Sequence, residues 1–313
     1  MDISILISTR NNARRLRETL LQINRCQVPR GISWEVVVVN HKSNDDTEQV
    51  VMELQQVLPL KYVAEAREGL GQARNSGLYV SSGALAIFTD DDVKPDPGWI
   101  EAYWAAYIAN PAERFWGGPI DSEFEGGTPN WELVQLGPPS IKGLDLGGGE
   151  RRLLGDVPLI AANWACPSAP LKRAGGFDAQ LGLNTAIGGG EETDLMRRLV
   201  KAGMQPWYLP TAKLRHIVQT SKVSLRHIAN RRRAYGRFVM HNEIECQNRV
   251  LPLLGVPPWI LRRLLETGAG WIFAKVTGKN GFTEYLNVQE ILGLAEAARA
   301  RSISVKTRAH GPA

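Results

Sequence analysis

The sequence predicts an α/β fold with a mainly parallel sheet, flanking helices and a helical C-terminal extension. Three observations carry that expectation. Short apolar runs alternate with helix-patterned stretches through the first ninety or so residues. The run Trp34 to Val39 contains four consecutive valines, as a strand buried on both faces requires. The early apolar runs end in polar clusters, at the position where open parallel sheets bind ligands.

Each element follows from local pattern. Ile3 to Ser8 is an Ile-rich first strand that ends in Ser8-Thr9-Arg10-Asn11-Asn12. Leu16, Leu20 and Ile23 then recur at helical spacing. Trp34 to Val39 is the second strand, and Asn44-Asp45-Asp46-Thr47 supplies the short polar side chains that start a helix. Lys61 to Val63 is a short third strand, and Leu70 to Val80 a helix stopped near Ser81-Ser82-Gly83. Ala84 to Thr89 is a further strand that runs directly into Asp90-Asp91-Asp92. Residues 110–190 are rich in Gly, Pro and Trp and read as loop-dominated. Residues 191–202 read as a helix closed by Gly203, and the chain from about residue 220 as helices.

Composition bounds the function. With 313 residues, 43% hydrophobic and 22% charged, the chain can bury a full core and is not a disordered segment. Its three cysteines, Cys26, Cys166 and Cys246, are widely spaced and odd in number, so reduced thiols are expected rather than a disulfide framework or a zinc site. Met1-Asp2 leads into an apolar strand without a basic leader, and no run of about 18 apolar residues occurs. A cytoplasmic protein without a spanning helix is therefore expected. The net charge of +5 is uneven: residues 1–212 carry −6 and residues 213–313 carry +11. A basic rear calls for an anionic partner: a phospholipid surface, a lipid-linked pyrophosphate or nucleic acid. Pro258 to Leu265 and Trp271 to Lys275 mix aromatic, aliphatic and basic residues. That mixture suits peripheral contact with an anionic membrane, or packing on the catalytic domain or on a second subunit in a homo-oligomer. Arg231-Arg232-Arg233 with Tyr235 suits either an acceptor pyrophosphate or a solvated face.

Four groups of residues carry chemistry. Three adjacent carboxylates, Asp90, Asp91 and Asp92, repel one another unless a divalent cation that also meets phosphate oxygens compensates them. A solvated acidic turn is the plainer alternative. Gly188-Gly189-Gly190 leads to Glu191-Glu192-Thr193-Asp194, which suits either helix capping or a general base beside an open site. His216 is a candidate to complete a metal shell with the aspartates. Arg74 is a candidate positive group beside a diphosphate or base edge. No P-loop, dinucleotide-binding glycine motif or serine nucleophile elbow is present.

In order and spacing, these segments resemble glycosyltransferase family 2, with the GT-A fold, over about residues 1–240. The segments are Ser8-Thr9-Arg10-Asn11, Val39 to Thr47, Gly69 to Gly77, Phe88 to Asp92, Gly175-Gly176-Phe177-Asp178 and Glu191 to Asp194. The resemblance implies a catalytic domain over 1–220, with a nucleotide-binding half at 1–110 and an acceptor and base half at 111–220, ahead of a basic extension at 221–313. It implies that Thr9, Arg10, Asn40, Lys42, Arg74, Asp90 and Asp91 meet a UDP, GDP or dTDP sugar. Asp92, with Asp90 and His216, would hold Mn2+ or Mg2+. Glu192 matches the base position, with Glu191 beside it. Trp116, Gly118, Asn163 and Trp164 would line the side of a glycan or lipid-linked acceptor. The chain departs from the family pattern at Asn40, where Asp is usual, and at Glu191-Glu192, where Glu-Asp is usual. The rival readings are a sugar nucleotidyltransferase, a catalytically dead membrane scaffold and a nucleic-acid binder. The first lacks its Gly-rich loop here, and the last leaves the acidic strand ends unexplained.

Overall fold

The computed structural model describes residues 1–111, 113–155, 159–242 and 255–309. It divides into two compact units. The first comprises Met1–Thr128, Pro139–Gln180 and Glu191–Thr220, and the second Pro129–Pro138, Leu181–Gly190 and Ser221–Ala313.

The first unit opens with β1 (Ile3–Thr9), α1 (Ala13–Ile23), β2 (Trp34–His41), α2 (Thr47–Leu54), β3 (Leu60–Glu65), α3 (Leu70–Val80) and β4 (Leu85–Thr89). It continues through β5 (Val93–Pro95), α4 (Trp99–Ala109), β6 (Arg114–Gly117) and β7 (Ile120–Glu125). After α5 (Trp131–Leu136), which belongs to the second unit, come α6 (Pro139–Lys142), β8 (Arg151–Arg152), β9 (Asn163–Pro167) and α7 (Ser168–Arg173). The unit closes with α8 (Glu191–Lys201), β10 (Gln205–Tyr208) and β11 (Leu214–Gln219).

These strands make an eight-stranded sheet in the order β3-β2-β1-β4-β9-β6-β10-β8 and a three-stranded sheet in the order β5-β11-β7. β3, β2, β1 and β4 are parallel, and β9 inserts antiparallel between β4 and β6. The large sheet is covered on both faces, which accounts for the four valines of β2. Ile3, Ile5, Ile7, Val36 and Val38 pack on one side with Leu16 and Leu20 of α1 and Val50 of α2. Leu6, Val37, Val39 and Phe88 pack on the other with Ala73 and Leu78 of α3 and Leu195 and Leu199 of α8. Alternation along a strand sends neighbours to opposite faces, so an uninterrupted apolar run is what such a position needs.

Residues 110–190 correct the expectation of a loop-dominated stretch, because β6, β7 and β9 lie there and β9 is internal to the large sheet. The sequence Asn163-Trp164-Ala165-Cys166-Pro167 has no β-branched residue and ends in proline, so Trp164 is its one local strand signal. Cys26 and Cys166 are unpaired and buried, and burial pushes the Cys26 thiol up to about 12, where it is inert. Cys246 lies outside the described residues.

In the second unit the long helices are α9 (Leu225–Asn242), α10 (Pro258–Val276) and α11 (Phe282–Ala309). α9 and α11 approach so closely that a Cβ on Gly236 would lie 2.1 Å from the Glu290 carbonyl oxygen. One on Gly293 would lie 2.0 Å from that of Arg233. Met240, Ile260, Ile291 and Leu294 form the core of this unit. Arg232 pairs with Glu290 at 3.3 Å, and Arg233 pairs with Glu296, so these two members of the arginine triplet bind α11.

Candidate active site

The carboxylate cluster follows β4, and three sets of contacts fix its shape. The Asp91 carboxylate accepts from the Thr9 hydroxyl at the end of β1 and from Asn12 Nδ2 at 2.7 Å. The Thr19 hydroxyl on α1 accepts from Val93 N–H at 3.0 Å and lies 3.0 and 2.9 Å from the carbonyl oxygens of Asp91 and Val93. β5 then pairs antiparallel with β11, opposing Val93 to His216, and Ile217 N–H donates to the Asp92 carbonyl at 2.8 Å. That pairing brings His216 Nε2 to 3.1 Å from Asp92 Oδ1.

One ligating atom from each of Asp90, Asp92 and His216 lies within 4.8 Å of the other two. Two carboxylate oxygens and an imidazole nitrogen suit Mn2+ well and Mg2+ acceptably, so the residues fit a divalent cation. The electrostatics agree. Burial and then the Asp92 charge push the Asp91 carboxyl up to about 7, against the hydrogen bonds from Thr9 and Asn12. Burial raises Asp90 as well, opposed by Arg74 and reinforced by Asp92. Such crowding is relieved by a bound cation, and cation uptake then displaces protons.

Arg74 ties this cluster to the acids of α8. Its Nη1 donates to Glu191 Oε1 at 2.7 Å and to Glu192 Oε1 at 3.2 Å, and its Nη2 lies 3.6 Å from Asp90 Oδ1. Burial by itself would lower the Arg74 pKa, but Glu192, Glu191 and Asp90 together raise it. The guanidinium carbon sits 5.6 Å from the centre of the Phe177 ring. Phe177 is held there by its neighbour in sequence to the arginine. Asn75 Nδ2 donates to the Phe177 carbonyl and Phe177 N–H donates to Asn75 Oδ1, both at 2.8 Å. Gly176 has φ +69°, and a Cβ there would lie 2.3 Å from Asn75 Oδ1, so the turn requires glycine. Glu192 Oε2 accepts from Ala161 N–H at 3.0 Å. The two glutamates differ in access: 4% of the Glu191 side chain is exposed and 26% of Glu192.

The other expected donor-side residues collect at the carboxyl ends of β1 and β2, where Thr9 pairs with Asn40. Asn40 uses both ends of its amide, donating to the Tyr62 hydroxyl and accepting from Ser43 N–H, each at 2.9 Å. Arg10 and Lys42 both meet Glu68, at 3.0 and 2.8 Å, and keep 38% and 39% of their side chains exposed. Arg74 is buried behind the carboxylates, with its donors committed to them rather than held out toward a nucleotide. The acceptor-side expectation is corrected by burial. Trp116 and Trp164 have no exposed area and Asn163 has 1%, so none of these side chains presents a surface to an acceptor. Asn163 instead accepts from Trp99 Nε1 and the Tyr103 hydroxyl and donates to the carbonyls of Pro119 and Ala212. Trp164 stacks on Phe88 at 4.9 Å, and a Cβ on Gly118 would lie 1.9 Å from the Ala212 carbonyl oxygen. These residues are the framework beneath the site.

Residues 4–149 match the family model for glycosyl transferase family 2. The chain carries a family 2 glycosyltransferase domain. Over 296 residues it is 28% identical to the pre-mycofactocin glycosyltransferase of Mycobacterium tuberculosis, covering 89% of this chain and 57% of that protein. Over 112 residues it is 35% identical to the validoxylamine A glucosyltransferase of Streptomyces hygroscopicus subsp. jinggangensis, covering 35% of this chain and 26% of that one. The chain thus spans little more than half the length of the M. tuberculosis relative. Among solved structures it is similar to a mannosyltransferase from Pyrobaculum calidifontis in complex with GDP-Man and Mn2+. That likeness has a TM-score of 0.53 and 19% identity, and covers 99% of this chain and 76% of the other. S. aureus TarS 1–349 in complex with UDP-GlcNAc is similar at a TM-score of 0.55 and 16% identity, covering 97% and 92%. The shared architecture is the GT-A glycosyltransferase fold.

Within this glycosyltransferase domain, sequence reasoning missed Asn12, Thr19, Asn75 and the Ala161 N–H as site-shaping groups. Asn12 stood in the polar cluster after β1 and Asn75 next to Arg74, so both carried a positional signal. Thr19 lies inside an ordinary amphipathic helix, and a backbone N–H has no sequence signature at all.

Proposed function

We propose that the protein is an inverting, divalent-metal-dependent glycosyltransferase. It moves a sugar from a nucleotide-sugar donor to a hydroxyl of a glycan or lipid-linked acceptor in cell-envelope or polysaccharide assembly. The observation that carries this reading is the single network from the Asp90, Asp92 and His216 cluster through Arg74 to Glu192. It joins a cation and diphosphate end to a proton-accepting end. The P. calidifontis and TarS complexes, with GDP-Man and UDP-GlcNAc, support a nucleotide-sugar donor and leave the base open among uracil, guanine and thymine.

In this reading Asp90, Asp92 and His216 would hold Mn2+ or Mg2+, whose Lewis acidity would stabilise the departing diphosphate. Thr9, Arg10, Asn40 and Lys42 edge the nucleotide, and Asp91 braces the cluster against Thr9 and Asn12. Glu192 accepts the proton of the acceptor hydroxyl as its oxygen attacks the anomeric carbon opposite the diphosphate. Arg74 and the Ala161 N–H aim the Glu192 carboxylate. Glu191 is buried against Arg74 and positions it. One base suffices for a single displacement with inversion. Residues 1–220 serve as the catalytic part, and 221–313 as a basic helical extension that makes peripheral contact with the anionic inner face of the cell membrane.

Release of nucleoside diphosphate from UDP, GDP and dTDP sugars, with Mn2+ or with EDTA, tests the proposal. Release from one nucleotide class, abolished by EDTA and increased by added acceptor, is expected. Formation of pyrophosphate from a nucleoside triphosphate and a sugar phosphate would instead assign a nucleotidyltransferase.

A further inference from the structure

The three-stranded sheet carries a buried hydroxyl that the transfer chemistry does not use. β7 and β11 pair in parallel, and their register sets Ser122 opposite His216. Residues opposed in register send their side chains to the same face of a sheet, on strands about 4.8 Å apart. Burial agrees with that facing: His216 and Leu214 on β11 and Ile120 on β7 are buried, while Arg215 and Asp121 on the other face are exposed. Ser122 Oγ is buried and, among the described residues, has no hydrogen-bond partner. The backbone at Gly143 covers it, since a Cβ there would lie 3.4 Å from Ser122 Oγ. An unpaired hydroxyl in the interior is a cost that an alanine would avoid, so its presence calls for a use.

His216 supplies that use. β11 is the central strand of its sheet, with β5 on one side and β7 on the other. His216 Nε2 lies 3.1 Å from Asp92 Oδ1, on the β5 side. The two nitrogens of an imidazole point away from each other, so a ring that aims Nε2 toward β5 turns Nδ1 away from it, the side on which Ser122 stands. A histidine that ligates a cation through one nitrogen keeps its other N–H bonded, because that bond fixes the tautomer and the orientation of the ring. A serine hydroxyl can fill that place: it turns about a single χ1 bond, and it accepts as well as donates.

We propose that Ser122 is a positioning residue of the metal site: its hydroxyl, turned about χ1, accepts from His216 Nδ1–H and so aims Nε2 at a divalent cation held with Asp90 and Asp92. The proposal rests on the reading of Asp90, Asp92 and His216 as a cation site.

The test is titration of Mn2+ alone into the full chain, wild type and Ser122→Ala, with the free ion followed by electron paramagnetic resonance. Ser122→Ala is expected to weaken Mn2+ binding by about tenfold or more. Its thermal unfolding without added metal should match or exceed that of the wild type, because the hydroxyl has no partner to lose. The second readout is the ring N–H proton of His216 with Mg2+ added, assigned by its loss in His216→Gln. A bonded N–H is protected from exchange with water, so the signal should be present in the wild type and absent from Ser122→Ala. A serine that only fills space would move neither readout. A wild type that binds no Mn2+ overturns the cation site and this role with it. Mn2+ affinity in Ser122→Ala within about twofold of the wild type overturns the role of Ser122 and leaves the cation site standing. Weakened binding with a His216 N–H signal that does not depend on Ser122 shows that another group holds the ring, and also overturns the proposal.

Discussion

Glu192→Gln is expected to lower the rate of sugar transfer by about 10²–10⁴-fold while leaving nucleotide affinity within about twofold. Gln keeps the length of the side chain, and its one oxygen can accept from either Arg74 or the Ala161 N–H but not from both, because the two bonds use different oxygens of Glu192. What it loses is the ability to take a proton from the acceptor hydroxyl. Glu192 is the better candidate of the adjacent pair because 26% of its side chain is open, against 4% for Glu191. A buried carboxylate committed to Arg74 cannot meet an acceptor. Steady-state transfer rates and donor affinities for Glu192→Gln and Glu191→Gln separate the two. If Glu191→Gln loses the chemical step and Glu192→Gln keeps it, the assignment is reversed.

Arg74→Ala is expected to cost about 3–5 kcal/mol of folding stability, a large part of what a domain possesses. The arginine is 6% exposed and holds Glu191, Glu192 and Asp90 together. Removing it takes the guanidinium from three carboxylates at once, the buried Glu191 among them, and takes away the largest influence that lowers Asp90. Breaking one partner of a buried pair is far more damaging than replacing the whole pair with neutral groups. Arg74→Met/Glu191→Gln should therefore be more stable than Arg74→Ala. Denaturant unfolding of the three proteins checks this, and a loss below about 1 kcal/mol in Arg74→Ala would mean that the network is open to water.

The first half of the parallel sheet was legible in local pattern. The valines of β2, the flanking glycine and serines of α3, and the carboxylates that interrupt β4 all write their structure within a few residues. What was not legible was non-local. His216 reaches Asp92 only because β5 pairs with β11, and nothing in either segment announces that pairing. β9 is internal to the sheet, yet it has no β-branched residue and ends in proline, so Asn163 and Trp164 looked like loop residues available to an acceptor. Glu191 and Glu192 are equivalent in sequence, both meet Arg74, and are separated only by which one α8 buries. The rear could be read as helical and basic from composition, but which of its apolar residues stay exposed depends on how α10 packs within its own unit.

The central claim is a donor site built on a cation held by Asp90, Asp92 and His216. Its most direct test is calorimetric binding of UDP, GDP and dTDP, with and without Mn2+, to the wild type and to Asp92→Ala. One nucleotide should bind the wild type only with Mn2+, and the mutant should lose that metal-dependent binding while remaining folded. Absence of binding by any nucleotide to folded wild type, or Mn2+-dependent binding that survives in Asp92→Ala, would contradict the account.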